Sequence, residues 1–561
     1  MMGTRSPQDK LFAADQIYLD YVGRDSLYGY LAQNRQHLFR DEDFASLYCL
    51  NNGRTSVPPS LAISLLLLRA VEGVSFAEAI ERSKYDLRWK VALGLEMEEV
   101  PMQKSALQEF EAKLVVLEMG EGLLQKSIAE ARRAGYLKNG KLRVALDTTP
   151  ILGKGAVKDT YNLLAEGIEQ LACRLAEVAG ESAATWAEGQ GCHRYFGSSL
   201  KGEAAIDWND KAQREQLLTA IVQDARRLLG LAEQAKAAHA EQAEAIAAAA
   251  ALLERLLAQD VEEKPEGGCQ IKQGTEKDRL TSVHDPEMRH GHKSASRRFN
   301  GHKAAIAVDI ESQLIVAVEV LAGNAGDQEK ALELVQQSER VTGAEVEETV
   351  GDCAYGGGPT RRAFADEERV LTAKVPACNN GDCFSKSEFA IDLEKREVRC
   401  PAGQTTSDYR AAKEGGGGRF VFAAATCQDC PLRSQCVLGK GPRTISIQAE
   451  EGLQQQARAH NQTEAGRKSL RERVVVEHRI ARLVQLGIRR SRYFGRTKTR
   501  WQVVMAAVVA NLSLVMGHRR RQAEAAGALS AEAAARFQNG LLGALLGLWS
   551  RLFARSEPAW V

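Results

Sequence analysis

The chain has 561 residues, 44% of them hydrophobic and 26% charged, which excludes a disordered or fibrous protein and leaves room for several domain-sized units. Formal net charge is only +1, from 74 basic and 73 acidic residues, so the overall balance does not announce a nucleic-acid binder. The distribution does: over 467–500 twelve Lys/Arg stand against Glu472 and Glu477, and Arg519, Arg520 and Arg521 add a short basic cluster. Eleven cysteines, in a chain whose first ten residues lack an apolar run, imply reduced thiols and a cytoplasmic, nucleoid-associated setting rather than a disulfide scaffold. No membrane partner is expected. The longest apolar stretch, 503–516, is interrupted by Asn511 and Ser513, is too short for a span, and reads as a buried helix.

Residues 1–135 read as helical. Pro58 and Pro59 mark the entry to a helix bearing Leu61, Leu65, Leu68 and Ala70, and Gly94 and Pro101 punctuate later ones. Short helices with tight turns suit a helix-turn-helix-like DNA-binding domain and equally a plain bundle. Residues 136–158 hold a short strand, 141–147, that ends in a carboxylate. Residues 159–268 form a helical insertion with an alanine run at 247–251, a stripe at Leu252, Leu253, Leu256 and Leu257, and a Pro/Gly linker over 262–268. Residues 269–377 change to an α/β pattern. Strands at 303–309 and 314–320 pair as a hairpin about Glu311 and Ser312, a helix covers 327–340, and a strand at 347–350 runs into Gly351-Asp352. A helix at 360–368 and a strand at 370–375 complete it. Residues 378–440 are cysteine-rich and contain the flexible run 415–418. A long basic helix begins near Gln462 within 441–520, and 521–561 read as one or two amphipathic helices with a tail around Pro558.

Asp147 and Asp352 each follow an apolar strand, so each carboxylate is expected at a strand tip. Tips on neighbouring strands bring carboxylates within reach of shared Mg²⁺ (or Mn²⁺), which takes oxygen ligands and keeps several waters. Two such ions roughly 3.5–4 Å apart activate an attacking oxygen and stabilise a leaving one. Taken singly, a strand-end Asp is as readily a turn or cap residue. Glu477 lies beside an apolar helical side made by Val476, Ile480, Val484 and Ile488, with Arg473 one turn earlier. A carboxylate there calls for a partner, either a metal or an i,i+4 pair with Arg473.

These residues resemble a family. Val144-Ala145-Leu146-Asp147-Thr148-Thr149-Pro150-Ile151 looks like the first-aspartate block of DDE transposases, and Gly153-Lys154-Gly155 through Tyr161 continues it as in the IS-eleven-eighty-two group. Asp285-Pro286-Glu287-Met288-Arg289 and the run from Lys293 through Phe299-Asn300-Gly301-His302-Lys303-Ala304 are similar to that group. Gly351-Asp352-Cys353-Ala354-Tyr355-Gly356 resembles the second-aspartate block. Arg473, Glu477 and Arg492-Tyr493-Phe494-Gly495-Arg496-Thr497-Lys498 resemble the glutamate block. The likeness extends over about 41–518. It implies an α/β fold: a ribonuclease-H-like catalytic core with Asp147, Asp352 and Glu477 as metal ligands, a large helical insertion, and a preceding all-α DNA-binding domain. Leu470 and Val484 stand where relatives often carry a tyrosine and a lysine, and Glu109 and Glu111 flank a place where relatives tend to have an arginine.

Lys293, Arg297, Arg298 and Lys303 precede or begin the hairpin, and Arg473, Arg489, Arg490, Arg492 and Lys498 surround the glutamate helix. They are expected to hold phosphates rather than read sequence, with binding that weakens steeply in salt. Cys400, Cys427, Cys430 and Cys436 include one C-x₂-C pair and are read either as ligands of a structural Zn²⁺ or as free buried thiols, with Cys378 and Cys383 as substitutes. His284, His290, His292 and His302 are given ordinary surface or core roles. The expected function is a DNA transposase that binds double-stranded DNA at terminal inverted repeats and at the target, as a homodimer or higher multimer. It would catalyse metal-dependent cleavage and strand transfer. A metal-dependent nuclease that does not transpose and an inactive DNA-binding remnant are the alternatives.

Overall fold

The computed structural model describes residues 1–5, 12–49, 53–294, 296–413 and 416–553, with burial described as far as residue 526. Gly415 and the tail around Pro558 lie outside the described residues. Contacts divide the chain into two units, Met1–Gly140 with Met505–Val561, and Lys141–Val504.

The first unit is built from α1 (Ala14–Val22), α2 (Leu27–Leu38), α3 (Pro59–Glu72), α4 (Phe76–Tyr85), α5 (Leu87–Leu93), α6 (Lys104–Val116) and α7 (Gly120–Arg133). Helix α3 starts with Pro59 at its first position and stops at Gly73, whose φ of 67° few other residues adopt cheaply. The expected stripe along α3 proves too narrow a description. Ile63, Leu65, Leu67 and Leu68 are all fully buried, so this helix is covered all round rather than on one face. Two buried ion pairs cross the unit: Arg35 with Asp15 at 2.6 Å, and Arg69 with Glu111 at 3.0 Å. The second gives Glu111 a packing role.

In the second unit the first strand, β1 (Leu142–Leu152), is followed by α8 (Thr160–Ala179), α9 (Ala183–Gly189), α10 (Leu200–Glu203), α11 (Lys211–Ala238) and α12 (Ala243–Asp260). Leu163, Ile168, Leu171, Leu218, Ile221, Leu228 and Leu253 are fully buried in the core these helices share. The expected linker at 262–268 is instead a β-hairpin of β2 (Val261–Glu263) and β3 (Cys269–Ile271), because Gly267 and Gly268 take positive φ and turn the chain back on itself. Then come β4 (Arg289–His292), β5 (Arg298–Asp309), β6 (Ile315–Ala322), α13 (Ala331–Thr342), β7 (Val346–Val350), α14 (Gly358–Asp366) and β8 (Leu371–Thr372).

The main sheet is mixed, in the order β6-β5-β1-β7-β8, with β4 on the first residues of β5. Strand β5 lies antiparallel between β1 and β6, whereas β1, β7 and β8 run parallel. Ala304, Ala305, Ile306, Ala307 and Val308 are all fully buried, the mark of a strand covered on both faces. Strand β1 does not stop at the carboxylate. It runs on to Leu152 because β5 continues to pair with it, Asp147 opposite Ile306 and Leu152 opposite Gly301. The two backbones come so close there that a Cβ at Gly301 would strike the Ile151 carbonyl.

The cysteine-bearing segment folds into two small three-stranded sheets, β9 (Ala390–Asp392), β10 (Glu397–Arg399) and β11 (Thr405–Thr406), then β12 (Tyr409–Ala411), β13 (Gly418–Val421) and β14 (Thr444–Ile447), with α15 (Ala424–Gln428) between the last two. Phe389, Val398, Phe420, Phe422 and Ile445 form its core. The long basic helix expected from near Gln462 is two helices, α17 (Glu464–Glu472) and α18 (Val474–Leu483), and a further helix, α16 (Glu451–Gln462), precedes them. Thr463 has extended backbone and its side chain accepts from the Gly466 amide, so it ends one helix and caps the next. Gly487, at φ 89°, breaks the turn that follows α18.

Helix α19 (Arg496–Phe553) closes the chain, as one helix where one or two were expected, and from Met505 it belongs to the first unit. There Val508, Val509, Leu512 and Val515 are buried, and Asn511 Nδ2 donates to Ser127 Oγ at 3.1 Å. By length and composition Arg496–Ala526 could cross a membrane, but 67% of its apolar window is buried, as in a core helix.

Candidate active site

Strands β1 and β7 pair in parallel only as far as Ala145 and Val350, and their continuations then separate. Asp147 lies two residues past that point on β1, and Asp352 two residues past it on the loop after β7. In open α/β sheets, ligands gather at such carboxyl ends of parallel strands. Asp147 is therefore not at the end of its own strand, as expected, but at the end of its pairing with β7. The Asp147 Oδ1 accepts the Thr148 amide at 2.7 Å, and Asp352 Oδ1 accepts the Ala354 amide at 2.8 Å, so each carboxylate is aimed by its own backbone.

Glu477 arrives from α18, which packs on β1 and β5 through the fully buried Val476 and Leu483. Arg473, at the join of α17 and α18, faces both acids. Its Nη1 donates to Asp147 Oδ2 at 3.2 Å and its Nη2 to Glu477 Oε1 at 2.5 Å. Of the two expected partners of Glu477, the i,i+4 pair with Arg473 is present, and the same guanidinium also serves Asp147. Burial pushes the Asp147 carboxyl above the usual aspartate range, and the Asp352 charge adds to it, against the Thr148 amide and Arg473. Tyr355 lies fully buried nearby. Its phenol is held well above its ordinary value by burial first, and then by the charges of Asp147, Asp327 and Asp352.

The three acids line one pocket of about 690 Å³ together with Thr148, His292, Lys293, Lys303, Asp327, Arg473 and Arg489. Of the other predicted basic residues, Arg297 and Arg298 are exposed on and before the start of β5, and Arg490 is exposed in the loop after α18. Arg492 is half-buried, its amide donating to Gln502, and Lys498 is exposed in the first turn of α19; none of these five lines the pocket. Arg489 donates to the Pro150 carbonyl at 3.0 Å and fastens the loop after α18 to β1. Val484 forms apolar wall beside Ile480. His290 bonds Asn300 and His302 is buried 3.5 Å from Asp285, ordinary roles both, but His292 reaches the pocket. His284 lines a separate groove between α8 and α12.

Two groups that bear on the site carry no motif signal. Arg143 on β1 donates to Glu348 of β7 at 2.8 Å, to Glu472 of α17 at 2.8 Å and to Ser469 Oγ at 2.9 Å, so one guanidinium ties β1 and β7 to α17, the helix that leads into the one bearing Glu477. Asp327 is a fourth carboxylate on the pocket wall. The quoted sequence blocks also meet in space: Asp285 accepts the Gly495 amide, Glu287 accepts the Arg496 amide at 2.6 Å, and Lys154 Nζ lies 4.7 Å above the Phe494 ring.

Among the described residues no three His, Cys, Asp or Glu side chains are drawn together tightly enough to hold one ion. Between Asp147 and Glu477 the place is taken by a cation of the chain itself, the Arg473 guanidinium. The donors are all oxygens, the type a hard divalent ion takes, but with the guanidinium between two of them they do not form a closed ligand cage. Cys400, Cys427, Cys430 and Cys436 line a cavity of only about 30 Å³, and burial raises the Cys436 thiol against the nearby Arg443 charge. The four thiols share one small cavity without being drawn together as a closed ligand set. Cys378 is exposed and Cys383 buried, and neither lines that cavity.

A family model described as a transposase DDE domain matches residues 399–516, which include the four thiols, Glu477 and the tyrosine-phenylalanine-glycine block. A second, described as a transposase domain (DUF772), matches residues 29–113, from α2 into α6. No curated protein and no solved structure matches the chain. Two transposase models, matched in separate parts of the same chain, indicate a DDE-type insertion-sequence transposase.

Proposed function

We propose that the pocket around Asp147, Asp352 and Glu477 cuts element ends and joins them to target DNA. The observation that carries this reading is the convergence of Asp147 and Glu477, 330 positions apart in the chain, on one guanidinium beside Asp352. The sheet order, with β1 between an antiparallel and a parallel neighbour, supports a ribonuclease-H-like core. The sequence blocks support the IS-eleven-eighty-two group.

Asp147, Asp352 and Glu477 would hold Mg²⁺ or Mn²⁺, which when bound supplies charge neutralisation and activation of the attacking oxygen. The chain's own residues do the rest. Lys293, Lys303 and Arg489 grip backbone phosphates and set the scissile bond over the acids. Arg473 pairs with both Asp147 and Glu477 and keeps them mutually oriented until the ion and the DNA arrive. Water attacks the phosphodiester at the element end, and the freed 3′-hydroxyl then attacks target DNA, with no covalent protein intermediate. The helices of residues 1–135 bind the terminal inverted repeats, the chain works as a dimer or higher multimer on DNA in the cytoplasm, and Cys400, Cys427, Cys430 and Cys436 hold a structural Zn²⁺.

The test is a strand-transfer assay with Mg²⁺, a target plasmid and DNA from both sides of the reading frame, with Asp352→Asn run alongside. Joined product from the native chain alone is expected. Cleavage without joining would show a nuclease, and binding without chemistry an inactive remnant.

A further inference from the structure

Lys303 enters the pocket from β5 already held. Its Nζ donates to the Ala325 carbonyl at 2.7 Å and to Asp327 Oδ1 at 2.8 Å. Ala325 and Asp327 belong to the turn between β6 and α13, so two strands and the approach to a helix jointly fix one ammonium. The Lys303 side chain is 13% exposed and that of Asp327 30%, which makes this a sheltered pair rather than a solvated one. An ammonium has three donors. Two are committed here, and the third remains for whatever fills the pocket that both residues line. Held in this way, Lys303 cannot collapse onto Asp147 or Asp352, as a long flexible cation beside several carboxylates otherwise would. The arrangement keeps a positive group and the acids apart across the same space, which is what a phosphodiester anion lying between them requires.

We propose that Asp327 is a positioning residue that aims the Lys303 ammonium at a phosphate oxygen of the bound strand and so seats the scissile phosphodiester over Asp147 and Asp352. The inference rests on the reading of this pocket as the strand-cleaving centre. Asp327 acts through Lys303 and does not itself touch the reacting atoms.

The test measures initial cleavage rates in Mg²⁺ on a plasmid carrying the DNA that flanks the reading frame. The native chain is compared with Asp327→Ala, Asp327→Glu, Lys303→Ala and the Asp327→Ala/Lys303→Ala double variant, with thermal melting of each. Asp327→Ala is expected to lower kcat/KM about tenfold, the loss of a misplaced phosphate grip. The double variant should be no worse than Lys303→Ala, because the two act as one unit. Asp327→Glu should recover part of the loss. The salt dependence of DNA binding should fall by about one contact in Lys303→Ala. Native kinetics in Asp327→Ala, or losses that multiply in the double variant, overturn the positioning role. Should Asp327→Ala not fold, Asp327→Asn keeps a neutral acceptor and must show the same dependence on Lys303. A native chain that binds the DNA without cutting it overturns the reading of the pocket, and the inference with it, before any variant is compared.

Discussion

Replacing Arg473 by Met tests the electrostatics of the site directly, because the stem is kept and the charge removed. Arg473 and Asp147 are each 20% exposed, and Glu477 is 52% exposed. The Glu477 arm is then an exposed i,i+4 pair worth about 0.3–0.5 kcal/mol. Removing one partner of a fully buried pair costs roughly 3–5 kcal/mol, and with partial exposure the Asp147 arm is discounted to about 2 kcal/mol. The sum, about 2.5 kcal/mol, corresponds to a fall in Tm of roughly 3 °C for a unit of this size. The fall should appear in buffer containing EDTA. A divalent ion stabilises the folded state by mass action, about 2.7 kcal/mol at a hundred times its Kd. In the native chain it must compete with the guanidinium, so Mg²⁺ should raise the Tm of Arg473→Met by more than that of the native protein. Scanning calorimetry with and without Mg²⁺ reads both effects. An unchanged Tm in EDTA, or equal gains from Mg²⁺, would refute the account of Arg473 as the chain's own counter-ion.

Asp147→Asn should abolish cleavage, leave DNA binding intact, and melt above the native protein at pH 7.5 in EDTA. The sign follows from burial: the folded-state carboxyl titrates above its unfolded value of 3.8, so its contribution to stability is present at low pH and is lost as pH rises through the raised value. The gap should narrow as pH falls toward 3.8, and melting curves across that range that show no gap, or a reversed one, contradict the buried-acid argument. Arg143→Met removes the cation shared by Glu348 and Glu472, whose side chains are mostly sheltered. It should cost about 2 kcal/mol by denaturant titration and slow cleavage as α18 loses its registration, and native stability would refute that role. Cys430→Ser should lower the zinc content from one ion per chain by elemental analysis, whereas a native chain without zinc leaves the thiols as core residues.

Much of the local structure was legible because burial has a period. The apolar faces of the helical insertion record which side of those helices is covered, whereas β5 and α3, buried all round, were legible as unbroken apolar runs. The acid-bearing blocks could also be read, since Asp147, Asp352 and Glu477 each stand beside apolar residues where a charge needs a reason. The run past Asp147 was not legible, because whether β1 continues depends on how long β5 stays beside it. Nor was the division of the basic helix at Arg473, whose own backbone angles stay in the helical region.

The sequence by itself determined the elements, the three carboxylates and the basic residues available to the site. Only the tertiary structure decided which of them meet. Arg473 reaches Asp147 across 326 positions and Arg143 reaches Glu472 across 329, while Arg297, Arg298, Arg490, Arg492 and Lys498, equally basic, line no part of the pocket. Asp327 lies in an unremarkable turn and becomes a pocket residue only because Lys303 on β5 points toward it. Periodicity reports a residue's own burial; an ion pair between distant elements depends on strand register and helix placement, which no local pattern contains.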